Sequence, residues 1–188
     1  MPPKNKYTKE QLVDVAFQIA CEEGFDNITI RKVAEHLGSS IAPIYVNFKD
    51  VGELKHEVVL KAINITKEII AEQNSGDPFL DVGTGSVIFA KKYPLLYEEL
   101  VLNSKDTYKE QVENIEFAFK KLKETPELMQ FDDDELRLLL IKMQALQAGL
   151  SLMARKEHYS KILSDELIVK ILDETGTDVL NGMIKRNQ

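Results

Sequence analysis

Apolar residues along this chain recur three and four positions apart rather than two, so the pattern predicts helices throughout and no strand. Leu12, Val13, Ala16, Phe17, Ile19 and Ala20 mark a first helix. Thr8-Lys9-Glu10-Gln11 opens it in the form of a capping box, and Gly24 closes it. Ile30, Val33, Ala34 and Leu37 then share one face of a short second helix, with Thr29 as its N-cap. Gly38 stops that helix, and Ser39 and Ser40 offer a fresh N-cap for a third from about Ile41. Pro43 falls in the third helix's first turn, where its missing N–H costs nothing. Asp50 to Glu53 fits another capping box, and Leu54, Val58, Val59, Ala62, Ile65 and Ile69 carry a fourth helix to about Glu72. The run Asn74-Ser75-Gly76-Asp77-Pro78 breaks the chain, and helices follow over about 79–92, 94–103, 105–124, 133–156 and 164–186. The class is all-α.

The third helix has too small an apolar face, Ile41, Ile44 and Phe48, to stand alone. It must lean on neighbours and leave its other side free, as a plain αα-hairpin or a DNA-reading helix-turn-helix would. The residues Gly24-Phe25, Thr29-Ile30 with Val33-Ala34, Gly38, Ser40, Ile44-Tyr45 and Phe48 resemble, in order and spacing, the amino-terminal domain of the tetracycline-repressor (TetR) family. The resemblance spans about residues 8–54, and the remainder is a compatible helical pattern. It implies a helix-turn-helix domain over 1–50 and a helical sensor and dimerisation domain over 51–188. The function it implies is that of a homodimeric regulator, a repressor released from a palindromic double-stranded DNA operator by a small molecule.

By the same resemblance Tyr45, Lys49 and the Thr29 hydroxyl hold phosphates, and Ser40, Ala42, Pro43, Val46 and Asn47 read base edges, Ser39 and Ile41 completing the DNA-binding stretch. Ile41 departs from the polar residue common at its position, and Val51-Gly52 replaces a frequent Lys-Glu pair.

Charge modifies this picture only after it is apportioned. The chain has 188 residues and a net charge of −7, which looks wrong for a DNA binder. Residues 1–55 hold seven Lys/Arg against eight Asp/Glu, so most of the acid lies further on. Residues 1–9 carry Lys4, Lys6 and Lys9 with no acid, a basic arm able to reach a phosphate, and residues 27–49 hold Arg31, Lys32 and Lys49 against Glu35 alone. Cys21 is the one cysteine, which excludes an internal disulfide and reads as a small buried thiol. The basic, polar start is not a signal peptide, and no apolar run approaches about 18 residues, so a membrane span is excluded and a cytoplasmic location expected.

Three segments beyond the fourth helix carry aromatics at helical spacing, among them Phe89, Tyr93, Tyr97, Tyr108 and Phe119. Such stripes usually form core. The tyrosine hydroxyls, which need partners if buried, and the small residues Gly83 to Ser86 also suit a largely apolar cavity. Phe89, Tyr93, Tyr97, Tyr108, Ile115, Phe119 and Met143 are its candidate lining. The helix over 133–156 is apolar on two sides, one through Leu136, Leu139, Leu140 and Met143, the other through Leu138, Ile141, Ala145 and Leu152. That fits an interface of four helices shared between two subunits, or the centre of a monomer. No Walker loop, nucleophile elbow, zinc-protease motif or dinucleotide fingerprint is present, so neither an enzyme nor a cofactor or metal is expected. Two other readings stay open: a DNA-binding adaptor whose second domain takes a protein partner, and a helical enzyme or lipid carrier that merely contains an αα-hairpin.

Overall fold

The computed structural model describes residues 7–102, 108–154 and 156–186, with side chains outside 102–114. Ten α-helices and no strand occur among the described residues. They are α1 (Lys9–Glu23), α2 (Ile30–His36), α3 (Ala42–Asn47), α4 (Val51–Gln73), α5 (Pro78–Lys92), α6 (Pro94–Leu102), α7 (Tyr108–Leu122), α8 (Asp133–Ala154), α9 (Glu157–Ser160) and α10 (Asp165–Arg186). Single 3-10 turns at Phe25–Asn27 and Pro126–Leu128 link α1 to α2 and α7 to α8. The all-α expectation is borne out. Lys4, Lys6 and the side chain of Tyr108 lie outside the described residues.

Local chemistry sets the helix starts. The Thr8 hydroxyl accepts the Gln11 N–H at 3.2 Å while Gln11 Oε1 accepts the Thr8 N–H at 2.9 Å, which completes the capping box on α1. Asp132 and Glu135 make the same reciprocal pair before α8, at 2.9 and 3.0 Å. At α4 the expected box is shifted. Asp50 Oδ1 accepts the Glu53 N–H at 3.0 Å, but the Glu53 carboxylate reaches past Asp50 to the N–H of Lys49 at 2.7 Å.

The chain divides into two compact units. The first runs to Ile65 and takes in residues 92–111. Its core closes on Phe48, Leu12, Ile19, Ile28, Ile44 and Leu54, each under 2% exposed. Burying side chains of this kind stabilises by about 1.5–3 kcal/mol each. α6 joins through Leu96, buried, and through Tyr93 just before it, whose ring meets that of Phe17 edge-on at 5.5 Å. The second unit comprises residues 66–91 and everything from 112 onward. Leu122, Leu128, Leu136, Leu139, Ile168 and Leu172 centre its core.

α8 is long and rich in leucine, and only one of its sides is covered. Leu136, Leu139, Leu140, Met143 and Leu150 are buried, whereas Leu138 is 51% and Ile141 61% exposed, with Ala145 and Leu152 also open. The expectation of burial on both sides is therefore met on one within a single chain. The earlier exclusion of any membrane-length helix is corrected too. α8 is long and apolar enough to cross a membrane by length and composition, because scattered polar residues break its apolar runs while an 18-residue stretch of it still has a mean hydropathy of 1.2. Its buried side packs in the core of this unit, as the core helix of a soluble domain does.

Candidate functional site

The stretch from Thr29 to Lys49 forms two helices around a tight turn, held by bonds of identifiable cause. Thr29 is extended, and its hydroxyl accepts the Lys32 N–H at 3.1 Å. α2 ends in the double bond expected of a left-handed glycine. Gly38 takes a φ of 57°, its N–H reaches the Glu35 carbonyl, and the Ser39 N–H reaches the Ala34 carbonyl, both at 3.0 Å. The Tyr7 hydroxyl donates to the Leu37 carbonyl at 2.9 Å. Two serines were expected to cap α3, and they do not. Ile41 occupies the cap position without a side-chain bond, while Ser39 is tied into the turn through its N–H and its hydroxyl donates to the Ser40 carbonyl at 2.8 Å.

α3 buries Ile44, and Phe48 just beyond its last turn, and turns its other side outward. Ile41 is 48%, Tyr45 55% and Val46 67% exposed, beside exposed Ser40, Ala42 and Lys49. Thr29 is exposed, while Ser39, Pro43 and Asn47 are half-buried. The Asn47 amide donates to the Pro43 carbonyl one turn back at 2.8 Å, so that N–H is occupied in this conformation. The positive charge of the stretch is smaller than composition suggests. Arg31 pairs with Glu35 at 3.0 Å and Lys32 with Glu23, which leaves the Lys49 ammonium without a carboxylate partner among the described residues. Lys9 braces the unit from α1, bonded to Glu57 of α4 at 2.6 Å with its ammonium 5.5 Å from the Phe48 ring centre. The Glu57 hydrogen bond raises the Lys9 pKa against the opposing effect of burial.

A second candidate site is a cavity of about 120 Å³ inside the second unit, walled by α4, α5, α7, α8 and α10. Of the seven candidate lining residues, Met143 borders it. Phe89 and Phe119 are buried, and Ile115 is exposed at 37%. Tyr93 and Tyr97 belong to the first unit, and the Tyr108 side chain is outside the described residues. The structure thus does not gather these seven around this cavity. Gln147, which the sequence pattern does not single out, borders it and is 7% exposed. Among the described residues no group of three or more His, Cys, Asp or Glu is placed to hold a metal ion.

No family model matches the chain. It is 34% identical over 82 residues to an uncharacterised HTH-type transcriptional regulator of Haemophilus influenzae, a match covering 43% of this chain and 38% of that protein. The aligned stretch thus spans well under half the length of that relative. Among solved structures, a transcriptional regulator from Rhodococcus sp. RHA1 superposes with a TM-score of 0.72 at 18% identity, over 94% of this chain and 97% of its own. A TetR-family transcriptional regulator from Rhodococcus sp. gives 0.68 at 18% identity, over 92% and 98%.

Proposed function

We propose, from the TetR-family fold that this chain shares with those solved structures, that it is a DNA-binding transcriptional regulator answering to a small molecule. The observation that carries the reading is α3. It is anchored by Ile44, with Phe48 beneath its end, follows a glycine turn, and presents a free face of the width a major groove accepts. Tyr45, Lys49 and the Thr29 hydroxyl would meet phosphates, and Ser40, Ala42, Pro43, Val46 and Asn47 the bases, with Ser39 and Ile41 at the rim. No catalytic step and no cofactor belong to this reading, and a cytoplasmic location accompanies it.

A second copy of the chain is the partner that the bare side of α8 fits, because Leu138, Ile141, Ala145 and Leu152 align at helical spacing and a helical pair of this kind closes on its mate by twofold symmetry. A dimer would place two α3 helices on a palindromic operator with half-sites about 34–36 Å apart or a multiple of that. The effector acts by linkage: a molecule that favours a conformation with misplaced reading helices lowers operator affinity by its own difference in affinity. α4, which contributes residues to both units, is the element to carry that change.

The test is binding to a labelled fragment from upstream of the protein's own gene, with competitor DNA, across several salt concentrations. Affinity that survives competitor and falls steeply with salt is expected. Lys49→Ala should lower the salt slope by about one unit and weaken binding across sequences. Absence of any preferred fragment in a genome-wide selection would overturn the reading and leave a helical protein with an αα-hairpin.

A further inference from the structure

We propose that the cavity of the second unit takes a small, uncharged, mostly apolar molecule bearing one carbonyl or hydroxyl, and that Gln147 is the residue that recognises this group. The proposal rests on the regulator reading for its biological meaning, though the binding itself does not.

Gln147 sits on α8 between the buried residues Met143 and Leu150, where an apolar side chain would pack without loss. Instead a primary amide is held there at 7% exposure, and it borders the cavity. A buried amide is usually retained for a polar partner, and the cavity is where this one can meet a partner. The space that the amide borders is made by a missing side chain on the facing helix. A β-carbon on Gly83 of α5 would meet nothing within 4 Å except Gln147 Nε2, at 3.7 Å.

The other polar groups at the cavity are already engaged or turned to water. Ser86 donates to the Val82 carbonyl at 2.7 Å, and Asp77 Oδ1 accepts the N–H groups of Phe79 and Leu80 at the start of α5. Gln144, Asp173 and Thr177 are exposed. Among the described residues no Lys, Arg or His borders the space, so an anion finds no counter-charge from them. The interior polar groups are the Thr66 hydroxyl, 7% exposed and already partnered, and the neutral Gln147 amide, which has donors for a carbonyl and an acceptor for a hydroxyl. The walls near it are Ile70, Val82, Leu140, Met143 and Leu172. At about 120 Å³ the cavity is close in size to an engineered apolar one of about 150 Å³ that holds benzene, which sets the size of the guest.

Cyclohexanone and phenol, with toluene as the apolar probe and cyclohexylammonium as the cationic one, all of equal heavy-atom count, test this in the full-length protein. Chemical-shift titrations would compare wild type with Gln147→Leu and Gly83→Ala. In Gln147→Leu, cyclohexanone and phenol should weaken roughly three- to tenfold, the worth of one hydrogen bond, while toluene is unchanged or tighter. Gly83→Ala, whose methyl enters the space beside the amide, should weaken all the neutral probes and serves if Gln147→Leu does not fold. Equal losses for toluene and cyclohexanone in Gln147→Leu would overturn the proposal, as would tightest binding of the cation or no binding of any probe to the folded wild type. Failure of these probes with operator binding intact sinks this inference alone. Probe binding by a protein that recognises no DNA sinks the regulator reading alone.

Discussion

A β-carbon on Gly85 would lie 2.8 Å from the α-carbon of Ile70 and 2.6 Å from its Cγ1, so α5 and α4 meet here backbone to backbone. No rotamer change can relieve the contact with main chain. Gly85→Ala should therefore destabilise by roughly 1–3 kcal/mol despite the better helix propensity of alanine. Gly83→Ala, two positions away on the same helix, has open space and should stabilise by up to about 1 kcal/mol. Thermal melts would show opposite shifts, of about 2–4 °C per kcal/mol for a chain of this size. Shifts of the same sign would mean that the helices are not packed this closely.

The Lys9–Glu57 bond makes stability depend on alkaline pH. The folded pKa of Lys9 lies above its ordinary 10.5, chiefly through the hydrogen bond with Glu57. The folded state thus holds the proton more tightly than the unfolded chain. The stabilisation is complete below 10.5 and is lost as pH rises through the folded value. In urea titrations the gap between wild type and Lys9→Met should be constant from about pH 7 to 9 and shrink above about 10.5. A gap that persists there would assign the bond's contribution to packing over Phe48.

Cys21 is half-buried in α1, and burial pushes its pKa up to about 11, with Glu22 adding to the effect. Only the thiolate reacts. Allowing for the greater nucleophilicity of a more basic thiolate, alkylation by a neutral maleimide at about pH 8 should run at least roughly tenfold slower than for a free cysteine. The rate should keep climbing to about pH 11. A plateau near pH 8.5 would show an ordinary, accessible thiol.

Ile141 and Leu138 are exposed in the single chain, so substituting them should leave its fold nearly untouched. Ile141→Asp should change the melting free energy of the isolated chain by about 0.5 kcal/mol or less. In sedimentation it should shift the protein from dimer to monomer and weaken operator binding with it. A wild-type protein that sediments as a monomer at all concentrations would remove the dimer from the proposed mechanism.

Much of this architecture is legible because its signals are local. Thr8 and Gln11 are three residues apart and meet in the structure as read, and the left-handed turn at Gly38 needs only its own neighbours. The cap expected of Ser39 and Ser40 failed for the same reason that it looked plausible: short polar side chains have several local partners, and the turn took them first. The cavity was the least legible part. Large aromatics such as Phe89 and Phe119 fill space, whereas a cavity forms where side chains are lacking. Its emptiness depends on Gly83 and Gln147, far apart in the chain, and glutamine in a helix gives no sign of which side it faces. The bare side of α8 was visible as an apolar stripe, but whether another helix of the same chain covers such a stripe is a question of tertiary packing.

The outward face of α3 is apolar for most of its length, through Ile41, Ala42, Tyr45 and Val46, and it bears no arginine. In the proposed mode of binding, discrimination between bases then depends on methyl groups more than on paired hydrogen bonds, and in the major groove the methyl that marks a base is that of thymine. Methylated cytosine carries a methyl at the same ring position. Such a reading face would accept it where it rejects cytosine, which would make operator occupancy sensitive to the methylation state of the DNA as well as to its sequence.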